Sequence, residues 1–269
     1  MKNIEEIKTM VREKYAAIAR QSKQQNKTSC CGSGSCSSEV YNIMTEDYSS
    51  LSGYVPNADL GLGCGLPTEF ARIKPGDTVV DLGSGAGNDC FVARQETGST
   101  GMVVGVDFTP EMVEKAKDNA SKLGFDNVSF IQGDIEQLPL NENFADVVVS
   151  NCVLNLVPDK GKAYKEVFRI LKPGGHFSIS DVVLEGNIPD RLRQQAELYA
   201  GCVSGAVTKS EYLSTIQNAG FTHVDVQKYR AIVIPDDILS NYLSKEELAQ
   251  YREGVFGIFS MTLSGVKPN

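Results

Sequence analysis

The sequence predicts an α/β fold with a doubly wound, mostly parallel sheet. Short apolar runs of strand length alternate with longer segments of helical periodicity. A glycine-rich turn follows the first apolar run and leads directly into a helical segment. Repeated strand–helix–strand units with right-handed crossovers place parallel strands side by side and cover both faces of the sheet with helices.

Residues 1–76 are predicted to form an N-terminal extension that precedes the sheet. Apolar residues recur at helical spacing in its first twenty positions, which predicts an amphipathic helix: Ile4, Ile7, Val11, Tyr15 and Ile18. Residues 21–38 are small and polar, and they carry Cys30, Cys31 and Cys36. This composition is typical of a loop. Residues 39–76 are irregular and rich in glycine.

Residues 77–229 are predicted to form the main domain. We expect strands at 78–81, 102–107, 128–132, 145–150, 176–183 and 224–229. Helices are expected at 88–95, 110–123, 160–171, 189–200 and 209–219. Thr109 is the predicted N-cap of the second of these helices, with Pro110 at its first position. Pro173-Gly174-Gly175 is expected to end the third helix and to turn the chain into the next strand.

Residues 230–269 are predicted to complete or cover that domain. Ser244 and Glu247 have the spacing of a capping box, which starts a short helix that ends near Tyr251. An uneven apolar run follows and is interpreted as a last strand: Phe256, Ile258, Met261 and Leu263.

Composition excludes several classes of function. The 269 residues include 26 basic and 34 acidic side chains, and a formal charge of −8 argues against a nucleic-acid-binding surface. No apolar stretch reaches the length of a membrane helix, and the first residues do not resemble a signal peptide. We therefore expect a cytoplasmic protein that binds neither nucleic acid nor membrane.

The seven cysteines are the unusual feature of the composition. An odd number without an export signal argues against a disulfide framework, so these thiols are buried side chains, soft-metal ligands or redox groups. Cys90 lies beside Phe91 and Val92, which favours a buried structural thiol. Cys64 and Cys202 have glycine neighbours that leave their thiols uncrowded. Cys152 follows the fourth predicted strand, where doubly wound sheets bind ligands.

A glycine-rich turn and three acids suggest a nucleotide-like ligand. Asp81 precedes Gly83-Ser84-Gly85-Ala86-Gly87, in which the third glycine comes one residue too early for a dinucleotide fingerprint. Asp107 ends the second strand, where a carboxylate can accept hydrogen bonds from ribose hydroxyls. Asp134-Ile135 follows the third strand and suits an adenine edge.

This series of acids and glycines resembles the S-adenosylmethionine-dependent class I methyltransferases over about residues 77–183, as does Leu171-Lys172-Pro173-Gly174-Gly175. The resemblance implies a class I methyltransferase sheet that binds S-adenosylmethionine. The cofactor-binding residues expected on this basis are Asp81, Gly83, Ser84, Gly85, Gly87, Asp107, Phe108, Asp134, Ile135 and Asn151.

Several motifs further resemble the arsenite methyltransferases, between about Val11 and Phe221. They are Ser29-Cys30-Cys31-Gly32, Leu60-Gly61-Leu62-Gly63-Cys64-Gly65, Asn88-Asp89-Cys90-Phe91, Ser150-Asn151-Cys152-Val153, Val157-Pro158-Asp159-Lys160 and Tyr199-Ala200-Gly201-Cys202. The resemblance implies that thiolates of Cys64, Cys152 and Cys202 hold trivalent arsenic. It also implies that one of Cys30, Cys31 and Cys36 serves a redox relay or arsenic handover, and Cys31 is our candidate. Phe108 departs from the family, in which methionine is common.

The activity implied is transfer of methyl groups from S-adenosylmethionine to arsenic, for arsenic detoxification. Arsenic is soft and prefers sulfur ligands, and its lone pair can attack the sulfonium methyl group without a general base. The expected partners are arsenite or thiol-conjugated arsenite and a thiol reductant such as glutathione or thioredoxin, with the chain as a monomer. Two alternatives stay open: a methyltransferase for a quinone- or sterol-like molecule with structural cysteines, and a thiol-based metalloid-binding protein or sensor.

Overall fold

A computed structural model describes residues 4–21, 46–192, 203, 205–234 and 236–269 of the chain. Seven strands form one sheet in the order β3-β2-β1-β4-β5-β7-β6. The strands are β1 (Thr78–Leu82), β2 (Met102–Asp107), β3 (Val128–Gln132), β4 (Ala145–Asn151), β5 (Leu171–Glu185), β6 (Thr222–Ala231) and β7 (Gly257–Val266). The first five pair in parallel, and β7 runs antiparallel to β5 and β6. The predicted fold class is confirmed.

Helices pack around the sheet, and the first of them belongs to the N-terminal extension. They are α1 (Ile4–Ala19), α2 (Pro67–Phe70), α3 (Asn88–Thr97), α4 (Pro110–Leu123), α5 (Lys160–Ile170), α6 (Lys209–Asn218), α7 (Asp236–Leu239) and α8 (Lys245–Arg252). The capping box at α8 forms as predicted, since the Ser244 and Glu247 side chains each accept the other residue's backbone N–H. The short helices α2 and α7 were not predicted, because four residues carry too little periodicity.

Several predicted bounds differ from those of the structure, most of all the start of β5. Pro173-Gly174-Gly175 does not end α5 but lies inside β5, which begins at Leu171. The helix already stops at Ile170, because Leu171 takes an extended conformation and pairs with Ala145 of β4. Of the helix predicted at 189–200, residues 193–200 lie outside the described part of the chain.

The sheet separates two apolar layers. Val80, Leu82 and Val148 project toward α5 and α6, where Tyr164 and Phe177 pack with Phe221. Residues of the opposite parity, together with side chains of α3 and α4, form the second layer: Val79, Val103, Val147, Val149, Phe91 and Met112. Because both faces are covered, open space for a ligand lies at the carboxyl ends of the parallel strands.

The C-terminal strand lies inside the sheet. β7 pairs with β5 from His176↔Val266 to Glu185↔Gly257, and its other side pairs with β6. It therefore holds β6 to the parallel part of the sheet. Among the described helices, none is long and apolar enough to cross a membrane.

Candidate active site

A cavity of about 160 Å³ opens at the carboxyl ends of β1, β2 and β4. Most residues predicted to bind the cofactor line it: Gly83, Ser84, Gly85, Asp107, Phe108, Asp134, Ile135 and Asn151. Asp81 and Gly87 are predicted residues that do not line it. Cys152 also lines this cavity, at the end of β4.

The glycine turn exposes its backbone to the cavity. Gly83 and Gly85 have φ values of +68° and +52°, which glycine adopts readily because it lacks Cβ. A Cβ at Gly83 would lie 2.3 Å from a methyl group of Val153, so a larger residue does not fit. The Asp107 carboxylate accepts the N–H of Gly85 at 2.9 Å and that of Thr109 at 2.8 Å. Asp107 therefore fixes the turn that a nucleotide-like ligand would contact.

Asp81 lies beneath the turn. It is 2% exposed, and the Cys90 thiol donates to its Oδ2 at 3.2 Å. Burial raises the pKa of Asp81 well above its usual range and raises that of the Cys90 thiol as well. Cys90 is fully buried in α3, as expected of a structural thiol. Asp81 is thus buried outside the cavity wall, with the Cys90 thiol as a hydrogen-bond partner.

Three side chains that the sequence did not single out as a group meet at the wall of the cavity. The Tyr48 hydroxyl donates to the Asp89 carboxylate at 3.0 Å, and the Asn151 amide contacts Tyr48 and donates to the Gly65 carbonyl at 2.7 Å. Burial raises the pKa of Asp89 to about 6. Asp89 lies in the first turn of the helix after the glycine turn, and this position could have identified it from the sequence as a site residue. Tyr48 lies in an irregular part of the sequence, where no pattern identifies it.

Helix α1 covers another side of the cavity. Lys8, Val11 and Tyr15 line it, and Lys8 Nζ lies 2.6 Å from Asp134 Oδ2 and 2.5 Å from Glu136 Oε2. The periodicity of this helix predicted its apolar face, but not the surface against which that face packs. Asp134, predicted to contact adenine, is therefore also an anchor for α1.

The sulfur atoms of Cys64 and Cys152 are joined as a disulfide, with Cα atoms 5.8 Å apart. The sequence argued against a disulfide framework and did not predict this pair. Cys152 has a φ of +61°, unusual for a residue with a side chain, and its N–H donates to the Ser180 carbonyl at 2.8 Å. The Cys64 N–H donates to Asn151 Oδ1 at 3.0 Å. Asn151 thus connects the sulfur pair to the cavity wall.

Other predicted thiols lie outside the described residues: Cys30, Cys31, Cys36 and Cys202. Val203, the next residue after Cys202, is 2% exposed and belongs to the apolar cluster that contains Cys64 and Cys152. Gly205 packs so closely on Asn155 that a Cβ there would lie 1.9 Å from the Asn155 carbonyl oxygen. The Lys160 ammonium donates to the Gly205 carbonyl at 2.6 Å. The segment after Cys202 is therefore held close to the sulfur pair.

A buried carboxylate accompanies the sulfur pair. A carboxylate oxygen of Asp181 and the sulfur atoms of Cys64 and Cys152 all lie within 4.8 Å of one another, and all three residues are buried. Asp181 accepts hydrogen bonds from the Asn155 amide at 2.8 Å, the Tyr212 hydroxyl at 3.0 Å and the Val182 N–H at 3.0 Å. Burial raises the pKa of Asp181 to about 7, against the charge of Lys160, which lowers it. The sequence analysis missed Asp181, because it lies within an apolar strand.

Comparison with known proteins agrees with this geometry. Residues 73–220 match the family model described as a methyltransferase domain. The chain is 39% identical to an arsenite methyltransferase of Halobacterium salinarum, over 98% of this chain and 67% of that protein. It is 33% identical to an arsenite methyltransferase of Aquipseudomonas alcaligenes, over 94% of this chain and 72% of that protein.

A solved structure extends the similarity to three dimensions. The crystal structure of an arsenic(III) S-adenosylmethionine methyltransferase from Chlamydomonas reinhardtii superposes with a TM-score of 0.65 at 32% sequence identity. The match covers 85% of this chain and 73% of that one. It therefore includes much more than the sheet of the methyltransferase domain.

Proposed function

This chain belongs to the arsenite methyltransferase family and acts as an S-adenosylmethionine-dependent methyltransferase on arsenic; we propose that thiolates of Cys64, Cys152 and Cys202 hold the arsenic during transfer. One observation carries the proposal. Cys152 lines the cavity assigned to the methyl donor and lies against Cys64 on its other side. A soft atom bound to this sulfur pair would therefore lie next to the donor.

The residues around the cavity suit S-adenosylmethionine. The open backbone of the glycine turn, with Asp107 beneath it, can lie against the nucleoside, and Asp134 and Ile135 would meet the adenine. Asp81 and Asp107 are buried acids, and Asp89 is a half-buried acid that lines the cavity with Asp107. Burial disfavours the ionised form of these carboxyl groups, so a cationic ligand would stabilise that form. When bound, S-adenosylmethionine supplies a sulfonium methyl group to the site.

We further propose that a thiol reductant prepares the site. Arsenic binds thiolates, so the disulfide between Cys64 and Cys152 must first take up two electrons. A small thiol such as glutathione, or a dithiol protein such as thioredoxin, supplies them and is oxidised to its own disulfide. Cys31, or its neighbours Cys30 and Cys36, would relay these electrons or hand over the arsenic. The substrate would be arsenite or its thiol conjugate.

The transfer itself is a direct displacement. With three sulfur ligands, arsenic keeps a lone pair that attacks the methyl carbon. The electron pair of the breaking carbon–sulfur bond returns to the donor sulfur. No residue needs to remove a proton, so the role of the chain is to position the two reactants. Positioning of this kind is worth effective molarities of about 10⁵ M or more. We propose that the chain does this as a monomer in the reducing cytoplasm.

The test is methylation of arsenite with labelled S-adenosylmethionine and a thiol reductant. We expect methylated arsenic from the wild type, and a loss of at least about a hundredfold in Cys152→Ser and Cys202→Ser with cofactor affinity nearly unchanged. Cys90→Ser, which removes a thiol outside the sulfur pair and keeps a hydrogen-bond donor to Asp81, is the matched control and should retain methylation. Full activity of both Cys152→Ser and Cys202→Ser would refute the assignment of the arsenic ligands.

A further inference from the structure

Asp181 is a buried carboxyl group that the displacement described above does not use. Its side chain is fully buried, and no solvent reaches the carboxylate. Its oxygens accept three hydrogen bonds, from Asn155, Tyr212 and Val182. Such donors favour the ionised carboxylate inside an otherwise apolar layer.

The carboxylate is near the sulfur pair and outside the cavity wall. One Asp181 oxygen lies within 4.8 Å of both sulfur atoms. Cys152 lines the cavity, whereas Asp181 does not, so the carboxylate approaches the sulfur pair without being part of the cavity wall. An arsenic atom bound to Cys64 and Cys152 would thus lie close to this carboxylate.

The displacement moves a positive charge from the donor to the arsenic beside this carboxylate. Before transfer, the charge is on the donor sulfonium. As the arsenic–carbon bond forms and the carbon–sulfur bond breaks, the donor sulfur becomes neutral and arsenic carries the charge. We propose that Asp181 stabilises this positive charge on arsenic and thereby accelerates methyl transfer, an inference that rests on the function proposed above.

The surroundings of Asp181 strengthen the interaction of its carboxylate with a positive charge on arsenic. The carboxylate is fixed by its hydrogen bonds before the reaction and lies in a region that excludes water, so it needs no reorganisation as the arsenic becomes cationic. Coulomb interactions are stronger here than at the surface because few solvent dipoles screen them. Lys160 is close enough to favour the ionised form of Asp181, and its ammonium donates to the Gly205 carbonyl.

Asp181→Asn removes the charge with little change of shape. The amide oxygen can still accept from Asn155 and Val182, and its NH₂ group can donate to the Tyr212 hydroxyl, which also hydrogen-bonds to Tyr164 at 3.1 Å. Asp181→Ser is a second neutral variant, with a smaller side chain. Asp146→Asn is the matched control, because Asp146 lies at the opposite end of β4 and pairs with Lys172.

The experiment is single-turnover methylation by reduced protein loaded with arsenite and mixed with S-adenosylmethionine. In Asp181→Asn we expect the rate of methyl transfer to fall at least about tenfold, with the dissociation constants of arsenite and S-adenosylmethionine within about twofold of wild type. Asp146→Asn should transfer the methyl group at the wild-type rate. Thermal unfolding shows which variants are folded, and Asp181→Ser is compared instead if Asp181→Asn does not fold.

The outcomes separate this inference from the function on which it rests. If the wild type methylates arsenite and Asp181→Asn does so equally fast, the role of Asp181 is overturned and the proposed function is not. Loss of arsenite binding in parallel with the rate also overturns it, because the carboxylate would then hold the site together instead of stabilising charge. A wild type that transfers no methyl group to arsenite refutes the proposed function and this inference with it.

Discussion

Asp89 is the half-buried acid through which pH should control cofactor binding. Its side chain lines the cavity and accepts a hydrogen bond from Tyr48. Burial is the main reason that its pKa is raised to about 6. Since only the ionised carboxylate attracts a cation, the protonated form must lose its proton before S-adenosylmethionine binds.

We therefore predict that the affinity for S-adenosylmethionine falls as the pH decreases below about 6, by at most about tenfold per unit. Asp89→Asn should weaken binding roughly tenfold at neutral pH and flatten this dependence. Titration calorimetry across this range measures both effects, with the exposed Asp225→Asn as control. A wild-type affinity that rises on acidification would contradict the assignment.

Single residues were predictable where chemistry and sequence position coincide. Asp107 and the glycines follow strands directly, so the fold class was enough to bring them to the cavity. Tyr48 and Asp181 were missed, because one lies in irregular sequence and the other inside an apolar strand. The disulfide between Cys64 and Cys152 was missed because the odd number of cysteines argues against a disulfide framework in the chain as a whole. It says nothing about whether one particular pair is bonded. The roles of the arsenic ligands stay predictions.

At the scale of elements, α1 is the part of the N-terminal extension that completes the cavity. Lys8 is held between Asp134 and Glu136, and Glu136 is only 4% exposed. Removal of the lysine would leave a buried carboxylate without this partner, which costs more than loss of a surface ion pair. Docking of α1 therefore depends on Lys8.

We predict that Lys8→Met weakens S-adenosylmethionine binding roughly three- to tenfold, because α1 then shields the cavity from water less well. Arg20→Met is the control on the same segment. Arg20 pairs with Glu111 at 2.8 Å but its side chain is 70% exposed, so its loss should change affinity less than twofold. Equilibrium binding compares the two variants. Tighter binding by Lys8→Met would mean that the lysine competes with the cofactor for Asp134.

Elements of the sheet were predictable because each carries its own periodicity. Helix α4 and the strands β2 and β3 have the predicted bounds. The position of β7 between β5 and β6 was not predictable, since pairing such as His176↔Val266 joins residues far apart in the sequence. The division of the chain at residues 76 and 229 stays a prediction.

At the scale of the whole molecule, three parts of the sequence meet at one end of the sheet. The extension brings Cys64, the parallel strands bring Cys152, Asp181 and the glycine turn, and the later segment brings Val203. The sheet could be inferred from the sequence alone, but this meeting could not, because it depends on irregular segments. Arsenic would bind where these parts converge.

Arsenic K-edge X-ray absorption of the reduced protein loaded with one equivalent of arsenite tests whether three cysteine sulfur atoms hold the arsenic. We expect an arsenic atom with three sulfur neighbours and no oxygen neighbour, and fewer sulfur neighbours in each of the serine variants of Cys64, Cys152 and Cys202. Cys90→Ser should leave the spectrum unchanged. Oxygen-coordinated arsenic in the wild type, or three sulfur neighbours that persist in the serine variants of Cys64, Cys152 and Cys202, would contradict the three-thiolate site.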